Sequence, residues 1–236
     1  MDLLNELSID LKQNSITIIA GTCNSGKSSV FEKIAFDYIS RGYNCLYVGD
    51  YDLQYFFARL KRKMVIYNHR PNINDGKIVY KDFTQVPNEL YIENIIKKKN
   101  IKVVFFDCHV YHKKYKLYNR PKDLLLEKIE VKKTNFYNYN NNQIDDERVF
   151  YMNLRILTHR YKTSFYINKN VNRNIPTNDF LDNSINNILM DGACNSHSIF
   201  ESDMVFGCHR DNPISTTLKV IKNRFGSDNK KIEVLL

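Results

Sequence analysis

The chain has 236 residues, 43% hydrophobic and 26% charged, an ordinary globular composition that excludes wholesale disorder. That length holds one large α/β domain and leaves little room for a second, so residues 1–236 are expected to form a single domain. A net charge of +9 suits an anionic partner, nucleic acid first, and equally suits a lysine-rich surface that is merely solvated.

Residues 1–12 carry acids and no apolar run of signal-peptide type, and no stretch of the chain reaches membrane-spanning length. Cys23, Cys45, Cys108, Cys194 and Cys208 form no C-x-x-C pair, which points to free thiols in a reducing compartment rather than a disulfide frame or a zinc site. A soluble cytoplasmic protein with no membrane partner is the expectation.

Residues 1–14 read as a brief lead-in, followed by a β-branched apolar run over 15–20 of buried-strand type. Next comes Gly21-Thr22-Cys23-Asn24-Ser25-Gly26-Lys27-Ser28, which matches G-x-x-x-x-G-K-[ST]. Residues 29–41 carry Val30, Ile34, Ala35, Tyr38 and Ile39 at helical spacing, with Gly42 as a stop signal. The order strand, loop, helix is the one a phosphate-binding loop requires. Successive N–H groups from Gly21 to Ser29 can converge on phosphate oxygens at the helix start, Lys27 can reach the β- and γ-phosphates, and the Ser28 hydroxyl can bind Mg²⁺. An ordinary glycine-containing turn is the plainer alternative, and the flanking strand and helix weigh against it.

A second strand over 44–50 ends in Asp50, and a helix over 53–63 follows whose basic end, Arg59, Lys61, Arg62 and Lys63, suits the helix dipole better than it suits nucleic acid. Residues 67–85 read as loop with one short strand, and 88–100 as an amphipathic helix ending in three lysines. The apolar run 101–106 then delivers Asp107 at its tip, the form of a Walker B strand, where a carboxylate can hold the water shell of Mg²⁺ opposite Ser28. Residues 111–142 are an Asn-rich insertion read as a long, partly disordered loop with a short helix near Leu124. A helix over 145–161 and a strand over 164–168 come next, then a polar loop region over 170–195. Strands over 204–208, 216–222 and 232–235 close the chain, with a turn at 226–228.

In this order and spacing the segments resemble the RecA-like ATPase core, most closely the motor domain of DnaB-type replicative helicases. Residues 153–161 and 165–173 are similar to the helix and strand S-L-K-A-L-A-K-E-L-x-x-P-V-V-A-L-S-Q-L-N-R. Residues 196–205 with His209-Arg210-Asp211 are similar to S-G-S-I-E-Q-D-A-D-V-V-x-x-x-x-R-D. Lys222-Asn223-Arg224-Phe225-Gly226 resembles the K-N-R-x-G element of those helicases and, more literally, the K-N-R-F-G of RadA recombination ATPases. The resemblance covers about residues 15–236, with the insertion after Asp107 unmatched.

It implies an α/β fold of RecA-like P-loop type: a mostly parallel central sheet flanked by helices, with antiparallel C-terminal strands. It implies ATP and Mg²⁺ as cofactors. Asp50 falls where those helicases carry the glutamate that polarises the attacking water, one methylene longer, and an ordinary surface acid is the competing reading. Asn170 falls at their γ-phosphate-sensing glutamine, while a RecA-style alignment puts Lys169 there. Lys222 and Arg224 alternate on one strand and share a face, so the family role would send both into a neighbouring subunit's nucleotide site, Arg224 as an arginine finger. Two solvated charges on an edge strand are the alternative. Single-stranded DNA would meet Ser196 and His197 with help from Arg173, although the charged loop residues of the helicases are here Cys194 and Asn195.

The implied function is an ATP-driven DNA motor assembled as a hexameric ring. With almost nothing preceding the nucleotide-binding loop, a primase or separate N-terminal-domain partner would complete it. A RecA- or RadA-type recombination ATPase and a nucleotide-binding scaffold with weak turnover are the competing expectations.

Overall fold

The computed structural model describes residues 3–7, 14–66, 77–86, 89–108, 142–170, 196–226 and 230–235. The Asn-rich insertion, the helix expected near Leu124 and the turn at 227–229 lie outside them.

Among the described residues, eight strands form one sheet in the order β3-β2-β4-β5-β1-β6-β7-β8. In chain order these are β1 (Ile16–Gly21), β2 (Cys45–Gly49), β3 (Ile78–Asp82) and β4 (Val103–Asp107). They are followed by β5 (Ser164–Asn170), β6 (Met204–Asn212), β7 (Ser215–Asn223) and β8 (Lys231–Leu235). The strands from β3 across to β6 pair in parallel, and β7 and β8 are added antiparallel at one edge. The helices are α1 (Leu3–Glu6), α2 (Lys27–Ser40), α3 (Leu53–Ile66), α4 (Glu89–Lys99), α5 (Asn142–Tyr161) and α6 (Ser196–Glu201).

The sheet is covered on both faces, which is why its central strands read as continuous apolar runs. Alternation along each strand sorts side chains between the two layers. Ile19, Tyr47, Phe105 and Tyr166 join Val30, Phe31 and Ile34 of α2 in one core. Ile18, Val48, Phe106 and Ile167 join Ile92 and Ile96 of α4 and Leu154 of α5 in the other. Asp107 is two residues beyond Phe105 and therefore faces the α2 layer.

Three expectations are refined. The first residues are more than a lead-in, because Leu3, Leu4 and Leu7 are buried in the α2 core and Leu3 N donates to Asp37 Oδ2 at 2.9 Å. The short strand expected between 67 and 85 is β3, paired in parallel with β2. The basic end of α3 is not wholly solvated: Lys63 is buried, and Arg59 Nε lies 2.7 Å from the buried carboxylate of Glu32 on α2. No helix among the described residues is long and apolar enough to cross a membrane.

Candidate nucleotide and metal site

Leaving β1, the chain passes over β5 and β4 to build β2, and β6 is later added on the other side of β1. The crevice at the carboxyl ends of β1, β5 and β4 is thus a topological switch point, where open α/β sheets bind ligands. The loop 21–28 and Asp107 both lie there.

The loop is held in one shape by contacts that tolerate no Cβ at two positions. Gly26 is the N-cap of α2 at φ +93, and a Cβ there would stand 2.2 Å from Thr216 Oγ1. At Gly21 a Cβ would meet the Cys208 carbonyl oxygen at 2.4 Å. Between them Asn24 adopts φ 63, and the Ser25 carbonyl accepts from Thr216 Oγ1 at 3.2 Å and Cys208 Sγ at 3.1 Å. The loop is therefore pinned to β6 and β7 on one side, while the first N–H groups of α2 remain directed out of the helix end. Lys27 Nζ donates to the carbonyls of Gly21 at 2.9 Å and Thr22 at 2.6 Å, across the mouth of the loop. Burial pulls its pKa down, while Cys208, Cys23 and Asp107 act in the opposite direction. Cys23 is exposed at the loop tip, and Ser29 Oγ is reached by Arg59 Nη2 at 3.4 Å.

Asp107 is 1% exposed and is ringed by four hydroxyl or amide donors. Ser28 Oγ donates to Oδ1 at 3.0 Å and Asn168 Nδ2 to the same oxygen at 2.6 Å. Tyr47 OH donates to Oδ2 at 2.7 Å, and Tyr51 OH donates to Ser28 Oγ at 2.9 Å while lying 3.4 Å from Oδ2. Burial is the first cause holding both phenols well above their ordinary pKa, and the Asp107 charge adds to it, so both remain donors. The donor set is one hydroxyl and one carboxylate at a phosphate loop, with no cluster of three His, Cys, Asp or Glu side chains among the described residues. That suits Mg²⁺, a hard cation that keeps several waters and shares its ligands with phosphate, better than a metal needing an all-protein cage. The Asn168 Oδ1 atom is buried without a hydrogen-bond partner, because its amide nitrogen is committed to Asp107.

The remaining candidates fall in three places. Asp50 is exposed immediately after β2, at the mouth of the crevice. Asn170 ends β5 in register with Gly21, on the same strand face as Asn168, while Lys169 turns to the other layer with Nζ 5.9 Å from the Tyr151 ring centre.

Lys222 and Arg224 lie at the opposite end of the sheet, near the start of β6, so they cannot serve the nucleotide site of their own chain. Lys222 Nζ donates to the carbonyls of Ile199 and, at 2.7 Å, of Ser202, closing the C-terminal end of α6. Burial and the neighbouring Arg224 lower its pKa to about 8. Arg224 Nη2 donates to the Phe200 carbonyl at 2.5 Å and Nη1 to Asp203 Oδ1 at 3.3 Å, with its side chain 47% exposed. Ser196 and His197 open α6, with side chains outside the described set, and Arg173 lies outside the described residues altogether.

Sequence reasoning missed Tyr47, Tyr51 and Asn168. The usable signal was alternation: Tyr166 and Asn168 share the face that carries Phe105 and Asp107 on the adjoining strand. It also missed Asp203, which accepts from Ile16 N at 2.8 Å and from Arg155 Nη1 at 2.7 Å, joining β1, α5 and the end of β7 beneath the sheet.

No family model and no curated protein sequence matches the chain. Solved structures do. The ATPase domain of a DnaB helicase superposes with a TM-score of 0.61 over 95% of this chain and 82% of that one, at 11% sequence identity. The RadB recombinase does so with a TM-score of 0.63 over 99% of this chain and 92% of that one, also at 11% identity. At such identity the likeness is one of fold, and with the strand order described above it means that the chain has a RecA-like core.

Proposed function

We propose that the protein is a Mg²⁺-dependent ATPase of the DnaB-helicase type, coupling turnover between subunits to movement on single-stranded DNA. The observation that carries this reading is the 3.0 Å hydrogen bond from Ser28 to Asp107 at the mouth of a loop already spanned by Lys27. Ser28 would hold the metal with Asp107 orienting its waters, and the metal would supply charge neutralisation at the β- and γ-phosphate oxygens. The α2 N–H groups and Lys27 bind and orient the triphosphate. A cleft of about 440 Å³ between the loop tip and the β6–β7 turn, bounded by His209, Arg210, Asn212 and Pro213, offers room for the nucleoside. Asp50 and Asn170 flank the position from which water would attack. Asp50 would accept a hydrogen bond from that water, and Asn170 would report the γ-phosphate through its amide.

The position of Arg224 far from its own loop favours action in trans, hence self-association, with a hexameric ring as the arrangement the DnaB resemblance implies. Because Lys222 and Arg224 grip the end of α6, and α6 begins at Ser196 and His197, a change at the subunit boundary would reach the proposed DNA-facing segment directly. The +9 charge adds sequence-blind attraction to phosphates, with Arg173 contributing to it.

ATP turnover measured with and without single-stranded DNA tests the reading: DNA should stimulate the wild type, and turnover unaffected by DNA would contradict a motor. The fit to the RadB recombinase over 92% of its length supports a recombination ATPase as the second reading. Unwinding of a forked duplex favours the first reading, and strand pairing without unwinding the second. A scaffold would show nucleotide binding without turnover.

A further inference from the structure

Tyr51 follows directly on Asp50, and its backbone is fixed by a hydrogen bond of 2.5 Å from Tyr80 OH to the Tyr51 carbonyl. Its ring packs against Tyr55, with centroids 5.7 Å apart, and the Arg59 guanidinium lies 5.4 Å from its centre. The phenol reaches inward from this perch to Ser28 Oγ at 2.9 Å and toward Asp107 Oδ2 at 3.4 Å. In an octahedral shell with bonds of about 2.1 Å, adjacent ligand atoms stand about 3.0 Å apart. The hydroxyl thus sits at the spacing from Ser28 Oγ that a neighbouring metal-bound water would take, on the side facing the carboxylate. Tyr47 differs: it touches Asp107 from the buried core, and its hydrogen goes to that carboxylate rather than to Ser28.

We propose that Tyr51 is a gate on the metal position, its hydroxyl standing in for one metal-bound water until Mg²⁺ and nucleotide displace it. This rests on the metal-site reading above. Displacement breaks the Tyr51 bond to Ser28 while the anchored backbone leaves the ring free to turn about its side-chain torsions. The ring then moves relative to Arg59, whose guanidinium is tied to Glu32 of α2, so α3 senses the occupant of the site. A tyrosine whose bond must be broken on loading lowers the affinity for the metal–nucleotide pair and leaves metal-free binding unchanged.

The test is calorimetric titration of ADP in excess Mg²⁺ and in EDTA, on the wild type, Tyr51→Phe and Tyr47→Phe. The phenylalanine at 51 keeps the ring contacts, so folding is retained. The gate predicts that Tyr51→Phe binds ADP about fivefold more tightly than wild type in Mg²⁺, the worth of one hydrogen bond, and equally in EDTA. Tyr47→Phe, which only loosens the carboxylate, gains nothing. If wild-type binding depends on Mg²⁺ and Tyr51→Phe is equal or weaker in Mg²⁺, or tighter in EDTA as well, the gate is overturned and the metal site stands. Wild-type affinity indifferent to Mg²⁺ overturns the metal site and the gate together.

Discussion

At the scale of single residues the site is a carboxylate held still. Four donors fix Asp107 before any ligand is considered, so its orientation costs little when metal and triphosphate arrive. Lys27→Ala should lower turnover about 100-fold or more, read as loss of kcat/KM in a steady-state assay. Behind the site Glu32 is fully buried, and burial lifts its pKa to about 7 against the pull of Arg59 and Lys63. Between the ordinary value of 4.5 and about 7 the folded chain binds the proton more tightly than the unfolded one. Stability therefore falls as pH rises through that window, by on the order of 2 kcal/mol. Denaturant melts at pH 5 and pH 8 should show that fall in the wild type and a flatter profile in Glu32→Gln. The acids at strand ends were readable from sequence because a carboxylate after an apolar run is conspicuous. Tyr47 and Asn168 were not, because a tyrosine inside a strand looks like core and an asparagine two places short of the aligned position looks like strand end.

At the scale of elements, the loop depends on strands far away in sequence. Gly26→Ala combines a left-handed φ of +93 with a 2.2 Å approach to Thr216, and should cost about 1–3 kcal/mol together with nucleotide affinity, seen as a lower Tm and a weaker ATP titration. The glycine pattern was plain in sequence, but the neighbour that enforces it, β7, is far along the chain and could not be inferred. The same limit hid α1, whose four residues are too few to show a period, and the inward turn of Arg59 and Lys63, which depended on a glutamate on another helix. Lys222 and Arg224 were legible as a pair on one face; their grip on α6 was not. Since the Arg224 bridge to Asp203 is half exposed, Arg224→Ala should cost under about 1 kcal/mol in stability and still bind ATP while losing about 1,000-fold in turnover. Asp203→Ala should instead cost about 3 kcal/mol, because it strands Arg155 and the Ile16 amide. Chemical melts separate the two.

At the scale of the whole molecule, the α/β class and the parallel sheet with antiparallel end strands followed from the alternation of strand and helix patterns together with the family resemblance. The order of the strands came only with the structure, because periodicity says nothing about which strands are neighbours. That order places the nucleotide end and the Arg224 end on opposite edges of one sheet, a geometry that makes an isolated chain an incomplete enzyme under the proposed mechanism. Specific ATPase activity should accordingly rise with protein concentration over the range in which sedimentation shows self-association. All of this depends on magnesium and a triphosphate being held between Ser28 and Asp107. The most direct measurement is the Mg²⁺ dependence of ATP hydrolysis by the wild type and by folded Ser28→Ala and Asp107→Ala variants. The account predicts turnover only with Mg²⁺ in the wild type and a loss of about 100-fold or more in both variants. Wild-type turnover in EDTA, or either variant working at the wild-type rate, would contradict it.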